Sequence, residues 1–248
     1  MEYNSWRTKR GGAMKRINVR LPSSTAVPAL RCRLAIAAFA ALALGGIPGH
    51  AVAHPHVLID AHTELVFNAQ GQLTGVTNVW DFDDAFSAFA IQGYDRKGDG
   101  NPTREELQPL AKINLSSLAE YGYFTRVTLA GTAIPFGPPK DYFDVFENER
   151  LTLHFTLPLV HPLDVRGKSI EVDVYDSAYF AAITSATNNP VKFLGDGSAC
   201  SASVHRPEPL DPGVASQLAV IPADQRTLPP DLFAITNKLV NGIRLTCK

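Results

Sequence analysis

"VLIDAHTELVFNAQGQLTGVTNVWDF" occupies Val57–Phe82, and its pattern decides the fold. Val57, Ile59, Ala61, Leu65 and Phe67 fall on alternate positions, and a period of two puts them on one face of a strand. "NAQG" at 68–71 has the form of a type I turn closed by a bulge glycine, so Gln72–Phe82 returns as the second strand of a hairpin. Such a hairpin has an apolar face that a second layer must cover.

Downstream of the hairpin, "DDAFSAFAIQGY" is short and helical in character, with Phe86, Phe89 and Ala90 on one side. A charged, Gly-rich loop covers 95–102, and a second helix runs from about Thr103 to Tyr121. Pro109 inside it is expected to kink or break it. From Tyr123 the pattern turns to strands, at 123–130, 142–146, 150–157, 169–175, 178–183, 191–194 and 200–206. Residues 207–231 are rich in Pro and Asp and read as a long loop or arm, followed by a terminal helix at Asp231–Asn241. The expected architecture is mainly β: an antiparallel, Ig-like β-sandwich at 54–206 with a helix–loop–helix (EF-hand-like) insertion at about 84–121. Residues 207–248 are then an arm and C-terminal segment.

The start of the chain reads as an export signal. Residues 1–33 carry eight basic side chains and one acidic one, Leu34–Leu44 is apolar, and Ala51-Val52-Ala53 supplies a small-x-small cleavage site. That is the order of a secretory signal peptide, and the apolar run falls short of the roughly 20 residues a membrane span requires. Translation starting at Met1 or at Met14 fits equally. Cleavage after Ala53 leaves 15 basic against 23 acidic side chains, a net charge near −8. An acidic, exported chain has no basic stripe for nucleic acid, and no second apolar run crosses a membrane. Cys32 leaves with the signal, and Cys200 and Cys247 then meet an oxidising compartment, where a disulfide between them is expected.

Cleavage at that position makes His54 the first residue. His54 and His56 are neighbours on one strand face, roughly 7 Å apart along the backbone. A terminal amine and its own imidazole chelate Cu, Ni or Zn, which favour nitrogen ligands. His56 adds a third nitrogen, and the hairpin register, with Asn68 opposite Gln72, brings a carboxylate from Asp84 or, after a one-residue slip, Asp83. His62 and Glu64 share the face, but His62 lies about 20 Å along the strand from His56 and reads as solvated.

"DRKGDGNPTREE" at 95–106 follows the EF-hand loop pattern at every position but one. Asp95, Asp99 and Glu106 stand at loop positions 1, 5 and 12, Gly100 at the sharp turn, and Asn101 offers a carbonyl at position 7. Lys97 puts a cation where a ligand belongs, so Ca²⁺ binding is expected to be weak, on the order of 10⁻⁴–10⁻³ M. Thr103 and Glu106 also satisfy the S/T-x-x-E capping box.

"HPHVLID", "VWDFDDAFSAF", "DRKGDGNPTREEL" and "VYDSAYF" occur in the order seen in the DUF1007 family, which the mature chain resembles throughout. Those are bacterial exported proteins of unknown function, grouped as periplasmic components of an uncharacterised ABC-type transport system. They are often encoded near nickel/cobalt-type exporters. The resemblance implies a periplasmic location and a membrane metal transporter as partner. Ser177 stands where the family's "YDP" motif has proline. The leading expectation is a non-catalytic, metal-binding accessory protein serving divalent-cation transport. One alternative is a Ca²⁺-stabilised sandwich that binds a protein partner. Another is a histidine-brace copper enzyme, which needs a further histidine from His154, His161 or His205. The sequence lacks G-x-S-x-G, HExxH and a phosphate-binding glycine loop.

Overall fold

The computed structural model describes residues 55–222, 225 and 227–248; the expected signal peptide and His54 lie outside the described residues. In chain order the strands are β1 (Val57–Phe67), β2 (Leu73–Phe82), β3 (Thr125–Leu129), β4 (Thr132–Ile134), β5 (Lys140–Glu147) and β6 (Arg150–Leu163). They continue with β7 (Ser169–Val174), β8 (Ala181–Ser185), β9 (Val191–Leu194), β10 (Cys200–His205) and β11 (Asn241–Cys247). The helices are α1 (Asp84–Ala90), α2 (Arg104–Leu118), α3 (Pro212–Leu218) and α4 (Pro230–Thr236), and a 3-10 segment covers Ala119–Phe124.

These strands form two sheets. The first has the order β5-β6-β2-β1-β8, with β9 also on β1; the second has the order β10-β11-β7-β3-β4. The molecule is the mainly-β sandwich expected from the alternation at Val57–Phe82. Two pairings are parallel, β1 with β8 and β1 with β9, where an all-antiparallel arrangement was expected. Both short strands lie along one edge of β1, reached by connections that sequence alternation does not encode.

The inner face of the first sheet is long enough to serve two cores. At one end Ile59, Trp80, Leu153 and Phe155 pack under Leu107, Leu110, Ala111 and Leu115 of α2. At the other, Leu65, Phe67, Leu73 and Val76 meet Val127, Ile170, Val172, Ile243 and Leu245 of the second sheet. Each fully buried aliphatic side chain contributes roughly 1.5–3 kcal/mol, so the insert is part of the fold's stability and not an appendage.

The Asn68 amide donates to the Gln72 carbonyl, and Gly71 takes a left-handed φ of 72° in the turn. A bulge between Val66 and Phe67 then shifts the register by one residue, so that Ile59 faces Phe82. The α2 helix runs through Pro109 without ending. Pro109 and Glu105 both lie on its exposed side, so the carbonyl freed by the missing N–H is left to water.

The C-terminal segment departs most from expectation. Helix α4 stops at Thr236, and Asn241–Cys247 becomes a central strand between β10 and β7. Cys200 and Cys247 stand directly opposite each other on β10 and β11 and form the expected disulfide.

Candidate functional site

β1 begins at a wall of aromatic residues. The His56 amide donates to the Phe180 carbonyl at 2.8 Å, and the half-buried His56 ring lies on the Phe180 ring with centroids 4.6 Å apart. Val57 then pairs with Ala181, so β8 fixes the entry of β1 into the sheet.

The segment leading into β8 is held by a carboxylate. Asp176, only 5% exposed, accepts from the Ala178 amide at 2.9 Å and from the Ala181 amide at 3.0 Å. Thr236 of α4 donates its hydroxyl to the Ser177 carbonyl at 2.7 Å. Tyr179 takes a φ of 54°, and Gly122, Tyr123 and Phe124 take φ values of 60°, 57° and 49°. Three of these four are large side chains in the left-handed region, which costs about 1–2 kcal/mol each and concentrates at functional sites. The Tyr175 amide, donating to the Phe124 carbonyl, locks the two strained segments together.

Between them Tyr121, Phe124, Asp176, Ala178 and Phe180 line a small pocket of about 30 Å³. That volume has room for an ion or a water. Tyr121, Phe124, Asp176 and Ala178 also wall an adjoining cleft of about 610 Å³, completed by Arg126, Tyr175, Leu228 and Phe233. Arg126 is engaged by Asp173 at 2.8 Å, which raises its already high pKa.

The carboxylates expected beside His56 are placed otherwise. The bulge shifts the register, and the ladder ends where the Leu58 amide donates to one Asp83 oxygen at 2.8 Å. The other Asp83 oxygen caps α1 by accepting from the Phe86 amide at 2.9 Å. Asp84 has its side chain 83% exposed, 4.0 Å from Arg150. Neither stands opposite His56, because the chain turns into a helix at the position where the extrapolated strand would have continued. Among the described residues no group of three or more His, Cys, Asp or Glu side chains could hold a metal ion. His54, the expected first ligand, lies outside the described residues.

On the outer face of the first sheet, His62 meets Asp81 at 3.6 Å, and Thr152 donates to Asp81 at 2.6 Å. His154 stacks on Phe143 at 4.5 Å, with the Arg104 guanidinium over Phe143. Burial lowers the His154 pKa, and Asp81 opposes that shift. The three histidines considered for a copper enzyme stand away from His56. His154 shares a row with Val79 and His62, roughly 20 Å along β1. His161 lies on β6 beyond Pro158, toward the turn end of the hairpin. His205 precedes Arg206, which bonds the far end of β8.

The loop 95–106 lies between α1 and α2, as an EF-hand requires, and its side chains hold the loop's own backbone. Asp95 accepts from the Gly98 and Gly100 amides, each at 2.8 Å, and Asp99 from the Asn101 amide at 3.0 Å. Glu106 accepts from the Thr103 amide, completing the capping box. These backbone bonds, led by Gly100 for Asp95 and Thr103 for Glu106, pull both carboxyls below their usual range.

Sequence reasoning passed over Asp176, whose carboxylate holds the turn that leads into β8. Its signal was present in "VYDSAYF", which marked the resemblance without being read for chemistry. Among the described residues no helix is long and apolar enough to cross a membrane. The family model described as a protein of unknown function, DUF1007, matches residues 39–247. An uncharacterised protein of Haemophilus influenzae is 29% identical over 158 residues, covering 63% of this chain and 74% of the relative.

Proposed function

The chain belongs to the DUF1007 family of proteins of unknown function, and on that premise we propose that it is an exported, non-catalytic metal-binding protein. It serves a membrane transporter of divalent transition metals (Ni, Co, Zn or Cu) in the periplasm. The observation that carries this reading is His56, pinned by its backbone and its ring to Phe180, one wall of a small pocket. His54 precedes it by two residues in the chain, and cleavage after Ala53 would give His54 a free amine beside its own imidazole. Nitrogen donors of this kind suit Cu, Ni and Zn better than Ca or Mg. The distance of His154, His161 and His205 from His56 favours a binding role over copper catalysis.

Competition titration with Cu²⁺, Ni²⁺ and Zn²⁺ tests the reading. His56→Ala is expected to weaken binding by more than the roughly 10–100-fold that loss of a supporting outer partner costs. His62→Ala leaves it unchanged. Amine and imidazole must be deprotonated to bind, so affinity falls as pH is lowered. Equal losses from the two variants would show that the metal is not held at the start of β1.

The loop 95–106 supports a second reading, a weak Ca²⁺ site that stiffens the insert, because Asp95 and Asp99 lie in the loop between two helices and Glu106 in the first turn of the second. Lys97→Asp restores a ligand and removes a repelling charge, so calorimetry is expected to show tighter Ca²⁺ binding. An unchanged isotherm reduces the loop to a helix cap.

A further inference from the structure

We infer that β10 is an interaction edge on which two copies of this chain pair, strand to strand and antiparallel, about a two-fold axis at Ser203. The inference is independent of the metal reading. The end of a sheet presents a row of unpaired backbone groups that another chain can extend, and proteins blunt such edges with charges, bulges, short strands or covering side chains. Among the described residues the other sheet ends carry these devices and β10 does not. At β5 the register breaks between Lys140 and Phe143, and Asp141 takes a φ of 52°. Asp144 is buried there with its carboxylate inward, and Gln108 of α2 donates to the Tyr142 carbonyl. Along β8 the Asn241 side chain takes the Ser185 amide and the Ile183 carbonyl, and Arg206 takes the Ser185 carbonyl. β9 is four residues long and carries Lys192, and β4 has three residues.

β10 runs for six residues, "CSASVH", in unbroken register with β11, without a proline, a lysine or a carboxylate. Acidic side chains outnumber basic ones after residue 53, so an uncharged edge is where two copies repel each other least. The ladder fixes which groups face outward. The Lys248 amide donates to the Ala199 carbonyl at 3.0 Å, so at alternate steps Ser201, Ser203 and His205 bond to β11. Cys200, Ala202 and Val204 belong to the non-bonded pairs, in keeping with a Cα separation of 4.0 Å between Cys200 and Cys247. The N–H and C=O groups of Ala202 and Val204 therefore turn to the open side, where no strand pairs with β10. A two-fold axis at Ser203 sets Ala202 opposite Val204 of the second copy, and Val204 opposite its Ala202. Each of those pairs exchanges two hydrogen bonds, about four in all, and the two five-stranded sheets become one. Ser203 faces its own equivalent and Ser201 faces His205, so no like charges meet across the contact. The disulfide ties Cys200 to the neighbouring strand and keeps the edge in place for pairing.

Sedimentation velocity over a wide range of concentration tests this, with the disulfide intact and a chelator present so that no metal bridges two copies. Wild type is expected to pass reversibly from monomer to dimer as concentration rises. Ser203→Lys and Ser203→Glu each set like charges opposite each other across the axis, and each is expected to stay monomeric with near-UV dichroism unchanged. Mixed in equal amounts the two variants associate again, because opposite charges then meet. Ala202→Pro removes an outward N–H and spares the bonds to β11, so it weakens the dimer by about tenfold or more. A wild type that stays monomeric at every concentration overturns the inference, whether or not the edge takes up a strand of another protein. A dimer that neither Ser203 variant loosens overturns it too, since the contact then lies on another surface. Neither result bears on the metal titrations, and a protein that binds no metal leaves this inference standing.

Discussion

Asp144→Asn is expected to stabilise the protein at pH 8 by about 4 kcal/mol, and to change nothing at pH 4. Asp144 is 0% exposed, and among the described residues neither carboxylate oxygen has a hydrogen-bond partner. It lies on β5 opposite Leu153, which faces Trp80 on the next strand, so its side chain enters the core beneath α2. Burial pushes its pKa from 3.8 up to about 7. Between those values the folded state binds more protons than the unfolded chain, so stability falls as pH rises through the window and levels off above it. The asparagine variant keeps the shape and removes the titration. The difference between the two proteins must therefore open from about pH 4 and reach its plateau near pH 7. Urea titrations across that range check it, with Trp80 as reporter, since the only other tryptophan, Trp6, lies in the expected signal peptide. Parallel curves at all pH values would mean that the carboxylate finds a compensating partner when ionised.

Breaking the Cys200–Cys247 disulfide is expected to cost about 4 kcal/mol, the loop-closure entropy for a separation of 47 residues. The bridge joins facing positions of β10 and β11, and Cys247 is buried in the core beneath the second sheet. β10 is an edge strand with alternate residues exposed, so it has little apolar burial of its own to hold it. The double variant Cys200→Ala/Cys247→Ala should unfold at markedly lower urea, and reduction of wild type should give the same shift. A loss below about 1 kcal/mol would place the constraint in the native ladder instead of in the unfolded chain.

Local chemistry made much of this molecule legible. The period-two face at Val57–Phe67, the Asn68–Gly71 turn and the capping box at Thr103 each depend on residues close in sequence, and the cysteine pair on there being just two cysteines after residue 53. The bulge at Val66 did not show, and it moved the register that had placed Asp84 opposite His56. β11 carries Ile243, Leu245 and Cys247 on alternate positions, but a Pro-rich stretch before it made the segment read as an arm. Only its place between β10 and β7 makes it central. Asp144 has Tyr142 and Phe146 two positions away on either side, which is a core-facing pattern, yet its burial depends on α2 covering β5. Asp176 needed the third dimension for the same reason: the turn it holds leads into β8, which pairs with β1 from more than a hundred residues away.

The central claim is that the amine of His54 helps hold a metal, and one titration reaches it directly. Protein beginning at His54 is compared with the same protein carrying one extra alanine in front, each titrated with Cu²⁺, Ni²⁺ and Zn²⁺ against a competing chelator. The expected result is one tight equivalent for the first protein and a loss of that affinity in the second, whose His54 nitrogen is buried in a peptide bond. Identical binding by the two, or no binding by either, would contradict the account.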